Sequence, residues 1–430
     1  MKRLIHRQNY LIENIVCYIK IHRYGVKLIT MKTKLKKLTA ALLALCIAVS
    51  MTACGRTDSG SADNDGGAGD FNISVDYSAP DLSADSIPDP VIKENGDKLT
   101  VVDSIGREVE LPAEPERIAV LDSFAGEAAV MTGAGEQMVT CPNGVKSDSL
   151  LRQMAPSLKD MEAVMSAGSF NAEALLALSP DVIMIKEGLY SSEEERGKLE
   201  KLQIPYIVVG YDNMAEQIYA LKLVGAAEGS ECRARAQEMA EYYCSVIKRV
   251  SADAAKIPED KVKRVYHSIN EAVRTDGEDS LGNDWISCVG AADVSAAHTD
   301  AMQADGVDFC AGLEQIFAWD PDVMICNEAS TKDYLLTDSK WTGLRAVREK
   351  SVYNIPVGAT RWGQRGSLET FFAMIWLGKT IYPEYYSDFD LKSEVTQFYS
   401  DMLGIDVDDE LYEMMLSGTG IRNASQNGGA

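Results

Sequence analysis

From Lys98 onward, short apolar runs alternate with amphipathic segments, and that alternation sets the expected architecture. Residues 98–111 read as a β-hairpin, with arms at 100–102 and 108–111 and Gly106 in the turn. Residues 117–121 form the first buried strand, and helical and strand-like segments then follow one another to about Val209. The longest helical pattern covers 230–256, where Ala236, Met239, Ala240, Tyr243, Ile247 and Val250 keep i, i+3, i+4 spacing. At ~1.5 Å per residue such a helix spans roughly 40 Å and would act as a stiff connector. It ends before Ile257-Pro258, and a strand over 263–266 follows. Residues 71–95 are acidic and dotted with proline, with no clear element.

One phrase occurs twice. Residues 171–187 read NAEALLALSPDVIMIKE and residues 312–328 read GLEQIFAWDPDVMICNE. Aligned without gaps, Glu173 meets Glu314, Pro180-Asp181-Val182 meets Pro321-Asp322-Val323, and Glu187 meets Glu328. Each copy is a short amphipathic helix, a Pro-Asp turn and an apolar run that reads as a buried strand. The repeat predicts two similarly built α/β lobes with a cleft between them.

The amino terminus indicates an exported chain. From Met31, Lys32, Lys34, Lys36 and Lys37 form a basic region, and 38–49 is an apolar run too short to span a bilayer. Met51-Thr52-Ala53-Cys54 resembles a bacterial lipobox, in which Cys54 becomes lipid-modified and the new amino terminus. Residues 1–30 precede a complete signal peptide and read as a mis-assigned upstream extension. The expected organisation is a signal peptide at 31–53, a lipid-anchored tether at 54–96 and a first lobe at 97–229. The connecting helix at 230–256, a second lobe at 257–418 and a tail at 419–430 complete it.

Composition narrows the partners. Residues 1–53 hold ten of the 42 Lys and Arg and one of the 65 acidic residues, so the remainder carries 32 against 64, a formal charge of −32. Such a surface repels nucleic acid and anionic lipid, leaving the lipid anchor as the membrane contact. Beyond Cys54 stand Cys141, Cys232, Cys244, Cys288, Cys310 and Cys326, with no C-x-x-C pair; Cys244 and Cys326 fall in apolar patterns as buried thiols. The residues after Cys54 include two histidines, His267 and His298, too few for a His-based metal cluster. No H-E-x-x-H or G-x-S-x-G occurs. Gly378-Lys379-Thr380 lacks the earlier glycine of a phosphate loop, and Gly133-Ala134-Gly135 reads as a helix-end turn.

The stretches VVDSIGREVELPAEPERIAVL, NAEALLALSPDVIMI, LEQIFAWDPDVMI, WTGLRAVREKSVYNIPVG and FFAMIWLGKTIYPE occur in that order. Together, over about residues 97–416, the chain resembles the substrate-binding proteins of ABC importers for iron–siderophore complexes, haem and vitamin B12. The resemblance implies two Rossmann-like lobes joined by a long helix, a ligand in the cleft, limited closure on binding and no catalysis. It implies a permease dimer and its ATPase as partners for a monomeric binding protein. It also implies that Glu173 and Glu314, one on each lobe, meet arginine pockets on the two permease subunits.

In open α/β sheets ligands sit beyond the carboxyl ends of the strands. That rule points to Asp122, Ser123 and Phe124, to 186–190 including Tyr190, and to Tyr211 in the first lobe. In the second it points to His267, Ser268, Asn327, Glu328 and the loop after Ile355. That loop is unusual: residues 351–368 contain no Asp or Glu but hold Arg361, Trp362 and Arg365. Arginine offers planar donors to anionic groups, and tryptophan an apolar face to a ring or chelate. Arg274 and Trp285 are weaker candidates. The expected cargo is a metal chelate with anionic groups: ferric siderophore first, corrinoid second, and an oxyanion such as molybdate or tungstate third. Haem would call for an axial pair of Tyr, His or Met, and nothing here selects one. Two other classes stay open: a signalling sensor, and a metal-handling surface enzyme needing Cys288, Cys310 and Cys326 to converge. No intrinsic cofactor or protein-bound metal is expected.

Overall fold

The computed structural model describes residues 71, 73–166 and 168–419. The signal segment, Cys54 and residues 55–70 lie outside the described residues.

The expected hairpin is present as β2 (Lys98–Val102) and β3 (Glu108–Pro112), and β1 (Val91–Asn95) joins it in a three-stranded antiparallel sheet. Gly106, at φ 82°, takes the left-handed turn position that glycine tolerates at least cost. Leu99 and Val101 turn inward from β2. β1 buries none of its residues, so its sequence carries no alternation to read.

The folded part begins well before residue 97, which corrects the expected tether boundary. Ile73, Leu82, Ala84 and Ile87 are buried. Lys222 Nζ donates to the carbonyls of Ala84 and Ile87, both at 3.0 Å, and Glu241 accepts from the Ala84 amide at 2.9 Å. These contacts are long-range, which is why the local pattern of 71–95 does not announce them.

The first lobe is a parallel sheet of β4 (Ile118–Val120), β5 (Met138–Thr140), β8 (Val182–Lys186) and β9 (Tyr206–Val209), in the order β5-β4-β8-β9. A small hairpin, β6 (Met165–Ser166) and β7 (Ser169–Phe170), precedes β8. α1 (Ser123–Thr132) follows β4, α2 (Ala172–Ala177) precedes β8, and α3 (Met214–Ala226) follows β9. α4 (Ser230–Ala254) is the expected long helix.

The second lobe repeats the plan. β10 (Arg264–Ser268), β12 (Ala292–Asp293), β15 (Val323–Cys326) and β16 (Val352–Asn354) are parallel, in the order β12-β10-β15-β16. A side sheet joins β11 (Arg274–Thr275), β13 (Gln303–Asp305) and β14 (Asp308–Cys310). The helices that matter here are α5 (Leu281–Cys288), α6 (Leu313–Trp319) and α7 (Thr370–Ile381). Lys379 lies within α7 and donates to the Phe389 carbonyl, as a helix lysine does.

The repeated phrase is wired alike in both lobes. Asp181 Oδ2 accepts from the amides of Glu116 and Arg117 at 2.9 Å, while Arg117 Nε donates to the Leu178 carbonyl at 3.0 Å. Asp322 Oδ2 accepts from the Arg264 amide at 2.9 Å, while Arg264 Nη1 donates to the Trp319 carbonyl at 2.9 Å. The residues before the two prolines, Ser179 and Asp320, both take left-handed φ, 47° and 38°.

α4 is more than a connector. Tyr243, Val246, Ile247 and Val250 are fully buried on it, and Phe371 of α7 meets the Tyr242 and Tyr243 rings edge-on at 5.2 and 5.3 Å. One continuous apolar cluster runs from Val120 of β4 through α3 and α4 to Phe371. Burial along its length ties both lobes to the same helix and limits how far they can part.

Candidate functional site

The loop after β16 crosses to the first lobe. Arg365 Nη1 donates to the Tyr211 carbonyl at 3.0 Å, and Nη2 pairs with Asp212 at 2.9 Å. The Gly366 amide donates to the Tyr211 hydroxyl at 2.9 Å, and Gln217 of α3 donates to the Ser367 carbonyl at 2.9 Å. Gly366 takes φ 95°, and a Cβ placed on it would stand 3.9 Å from Ser123 Cβ. The carboxyl ends of β4 and β9 therefore meet the Arg loop, as the strand-end rule requires.

The charges at this junction are mixed. Lys186 and Glu187 close the end of β8 and are both exposed. Although its residue is exposed, partial desolvation of the Glu187 carboxyl beside the loop raises it above its ordinary range, Asp212 adds to the rise, and Arg365 opposes it. For Arg365 burial works against the charge, but Asp212 outweighs it and holds the guanidinium more firmly protonated. Arg361 is 9% exposed, with Nη2 on Glu328 at 2.7 Å and Nη1 on Gln364 at 2.6 Å. Glu328 is the repeat partner of Glu187; Glu328 pairs with Arg361 and Glu187 feels the charge of Arg365, so each lobe brings a carboxylate to the Arg loop.

Behind the loop lies a buried polar chain. His267 Nδ1 is 2.5 Å from Asp276 Oδ2, and its Nε2 is 2.8 Å from Asn327 Oδ1. Burial opposes a charge on the imidazole, but Asp276, with further hydrogen bonding from Asn327, raises its pKa overall. Trp285 of α5 stands edge-on to His267 at 6.1 Å and donates from Nε1 to the Gly363 carbonyl at 3.0 Å.

Several expected cleft residues have other work. Phe124 is buried and meets the Tyr211 ring at 4.7 Å, so the pair forms the packed floor under the crossing. Trp362 and Trp285 are fully buried: Trp362 packs on Phe372 at 5.1 Å, and Trp285 supports the loop from beneath. Neither offers an open face to a chelate in this arrangement. Tyr190 turns outward, with Arg107 over its ring at 4.8 Å and Tyr206 beside it at 6.4 Å. Arg107 and Tyr206 line a surface groove of about 750 Å³ beside β3, on a different part of the first lobe. Arg274 is taken up by Asp305 at 3.2 Å and Asp308 at 2.9 Å in the side sheet. Phe124, Trp285, Trp362, Tyr190 and Arg274 thus depart from the sequence reading. Arg361, Arg365, Tyr211 and His267 are the candidates that the fold does bring together.

The sequence reading missed Asp212 and Asp276. Asp212 directly follows Tyr211 at a strand end and was open to the same rule. Asp276 lies beyond β11, and only the return of the chain brings it to His267. It also missed Glu127 of α1 and Glu369, both fully buried where the lobes meet. Glu127 Oε2 accepts from the Thr360 hydroxyl at 2.8 Å and Oε1 from the Leu368 amide at 3.2 Å, while Glu369 Oε2 accepts from the Thr360 amide at 2.9 Å.

Glu173 and Glu314 sit in the first turns of α2 and α6 and are exposed. The cysteines from Cys141 to Cys326 are all free thiols, and burial pushes those of Cys288 and Cys326 up to about 12. Among the described residues no group of three His, Cys, Asp or Glu is placed to hold a metal ion. No helix among them is long and apolar enough to cross a membrane.

The comparisons with known proteins agree with this architecture. The molybdate-binding protein MolA of Haemophilus influenzae is 24% identical over 325 residues, covering 70% of this chain and 89% of that protein. A periplasmic solute binding protein from Veillonella parvula superposes with a TM-score of 0.62 at 23% identity, covering 74% of this chain and 96% of that one. An ABC transporter solute binding protein from Sulfurospirillum deleyianum gives a TM-score of 0.62 at 21% identity, covering 74% and 98%. The family model described as periplasmic binding protein matches residues 118–357, more than half of the chain, and the chain belongs to that family.

Proposed function

We propose that this chain captures an anionic metal chelate between its lobes and hands it to an ABC permease and its ATPase, acting as a monomer without catalysis. The observation that carries this reading is the loop after β16. It places Arg365 against a strand end of the first lobe and Arg361 beside Glu328 at a strand end of its own lobe, in a chain with a large excess of acidic residues. Guanidinium groups at a strand-end crossing suit an incoming oxyanion, carboxylate or catecholate, for which their planar donors are matched. Ferric siderophore remains the first cargo and corrinoid another.

An oxyanion has specific support as a second reading, because MolA, similar over most of its length, is named for molybdate. Two arginines and few apolar faces in the cleft suit a small oxyanion as well as the rim of a chelate. Titration of tryptophan fluorescence with a ferric tris-catecholate, cobalamin, molybdate and tungstate separates these. Saturable binding of the ferric complex alone supports the first reading, and saturable molybdate binding alone supports the second.

Glu173 and Glu314 serve in this reading as the two docking carboxylates. The basic stretch, the apolar run and the Ala53-Cys54 junction support a lipid anchor on the outer face of the cell membrane. Cys54→Ser then releases the protein from the membrane fraction or leaves an unprocessed precursor. Unchanged fractionation and lipid labelling would remove the anchor.

A further inference from the structure

We propose that Asn327 is a specificity-determining donor of the cleft, turned toward the cargo by the Asp276–His267 pair and withdrawn when His267 loses its proton. The inference rests on the cleft being the cargo site.

Asn327 is the first residue beyond β15 and stands next to Glu328, the partner of Arg361. Its side chain is 1% exposed. Oδ1 faces His267 Nε2 at 2.8 Å, and Nδ2 is buried with no hydrogen-bond partner among the described residues. A buried amide N–H without an acceptor is costly, and such groups call for a specific explanation. A cargo oxygen reaching the strand ends is the acceptor this position lacks.

The orientation of the amide follows from proton placement. His267 Nδ1 and Asp276 Oδ2 share a 2.5 Å hydrogen bond, in which an ionised carboxylate accepts and the ring donates. If the ring were neutral, Nε2 would be a bare acceptor, and the amide would turn to give it an N–H. With Asp276 ionised and accepting at Nδ1, Oδ1 toward Nε2 fits the imidazolium, which donates from both nitrogens. The groups around the ring favour that form. Burial, the largest influence, opposes a charge on the ring, but Asp276, Asn327 and Asp293 together raise the imidazole pKa. Asp293 belongs to β12 and Asp276 follows β11. Trp285 of α5 is uncharged at 6.1 Å, and Arg365 senses Asp276 from the loop above.

The consequence has a definite sign. Below the folded pKa of His267 the cleft shows an N–H from Asn327 and suits an anionic oxygen. As pH rises through that pKa, the amide reverses and shows Oδ1, which repels the same oxygen. Anionic cargo is then held at acidic pH and released toward alkaline pH. His267→Gln keeps a neutral N–H donor toward Oδ1, so it preserves the amide orientation and abolishes the switch.

The test uses the purified protein labelled with ¹⁵N at histidine, with His267 assigned by its loss in His267→Gln. Ring ¹⁵N shifts are followed from pH 5.5 to 9 (about one unit below to over two above the ordinary histidine pKa). In parallel, molybdate and a ferric tris-catecholate are titrated into the parent protein and Asn327→Ala. Both ring nitrogens protonated at the acid end, and binding weakened about ten- to a hundredfold in Asn327→Ala, are the expected results. A bare Nε2 at the acid end overturns the amide orientation, whether or not His267→Gln binds either probe. Equal affinity in Asn327→Ala and parent removes Asn327 from the cleft. If the parent binds neither anion, the anionic-cargo reading fails and the donor role fails with it.

Discussion

Arg365 reaches from the second lobe to Asp212 in the first, Nη2 to Oδ1 at 2.9 Å. Both side chains are substantially exposed, 37% and 59%, so the pair contributes at most about 1 kcal/mol. It is a contact that a cargo can displace. Asp212 also offsets the charge an anion would seek. Asp212→Ala is expected to leave the melting temperature nearly unchanged and to raise the association rate of an anionic cargo, because rim charges act mainly on encounter. Stopped-flow fluorescence at low salt measures it. A slower association in the variant would mean that Asp212 helps to bind the cargo.

Arg361 is a different case. It is nearly buried and ion-paired, so its removal strips Glu328 of a partner as well as removing a donor from the cleft. Arg361→Ala is expected to weaken anionic cargo about ten- to a hundredfold and to cost about 1–2 kcal/mol of stability, less than a fully buried pair because Glu328 keeps some solvent. Calorimetry and a urea titration read the two effects separately. A loss of stability with full affinity would make Arg361 a structural residue only.

The paired glutamates predict a separation of functions. Replacing Glu173 and Glu314 together by Ala is expected to leave cargo affinity intact while abolishing most uptake and reducing the salt sensitivity of permease binding. Leu176, three residues from Glu173 on the same helix, is 53% exposed. Normal uptake by the double variant at low protein level would defeat the docking role, and lost cargo binding would place these residues in the cleft.

The repeat, the alternation of helix and strand within each lobe and the long helix were legible because their signals are local and periodic. The matching of Arg117–Asp181 with Arg264–Asp322 shows why the Pro-Asp phrase recurs: in each lobe the aspartate caps the amide that opens the first strand. The strand-end rule located the crossing at Tyr211 and the Arg loop. It could not separate a tryptophan that supports the loop from one that faces solvent, because Trp285 and Trp362 differ from cleft residues only in direction. Tyr190 and Arg274 misled for the same reason: both stand near strand ends, but partners distant in sequence, Arg107 and Asp308, turn them elsewhere. Glu127 and Glu369 gave no signal, since nothing in a sequence marks two acidic residues as buried against each other.

Those two carboxyls predict a pH dependence. Burial pushes Glu369 up to about 7, and burial together with the charge of Glu369 raises Glu127 well above its usual range. Asp148 adds to both. An unfolded glutamate titrates near about 4.3, so between that value and about 7 the folded state holds a proton that the unfolded state has lost. Stability therefore falls as pH rises through this window, by up to about 1.4 kcal/mol per pH unit for one such group. Glu369→Gln is expected to flatten that slope between pH 5 and 7, measured by urea unfolding (the unfolded glutamate pKa lies just below this window). An unchanged slope would mean that Glu369 titrates normally.

The central claim is that the space between the lobes holds a small anionic cargo in the cell. Native mass spectrometry with metal analysis, on protein purified from its own host, tests it most directly. A bound small molecule or oxyanion carrying a metal in stoichiometric amount, present in the parent and depleted in Arg361→Ala, is the expected result. Protein that carries no such adduct and takes up neither ferric chelate, corrinoid, molybdate nor tungstate on addition would contradict it.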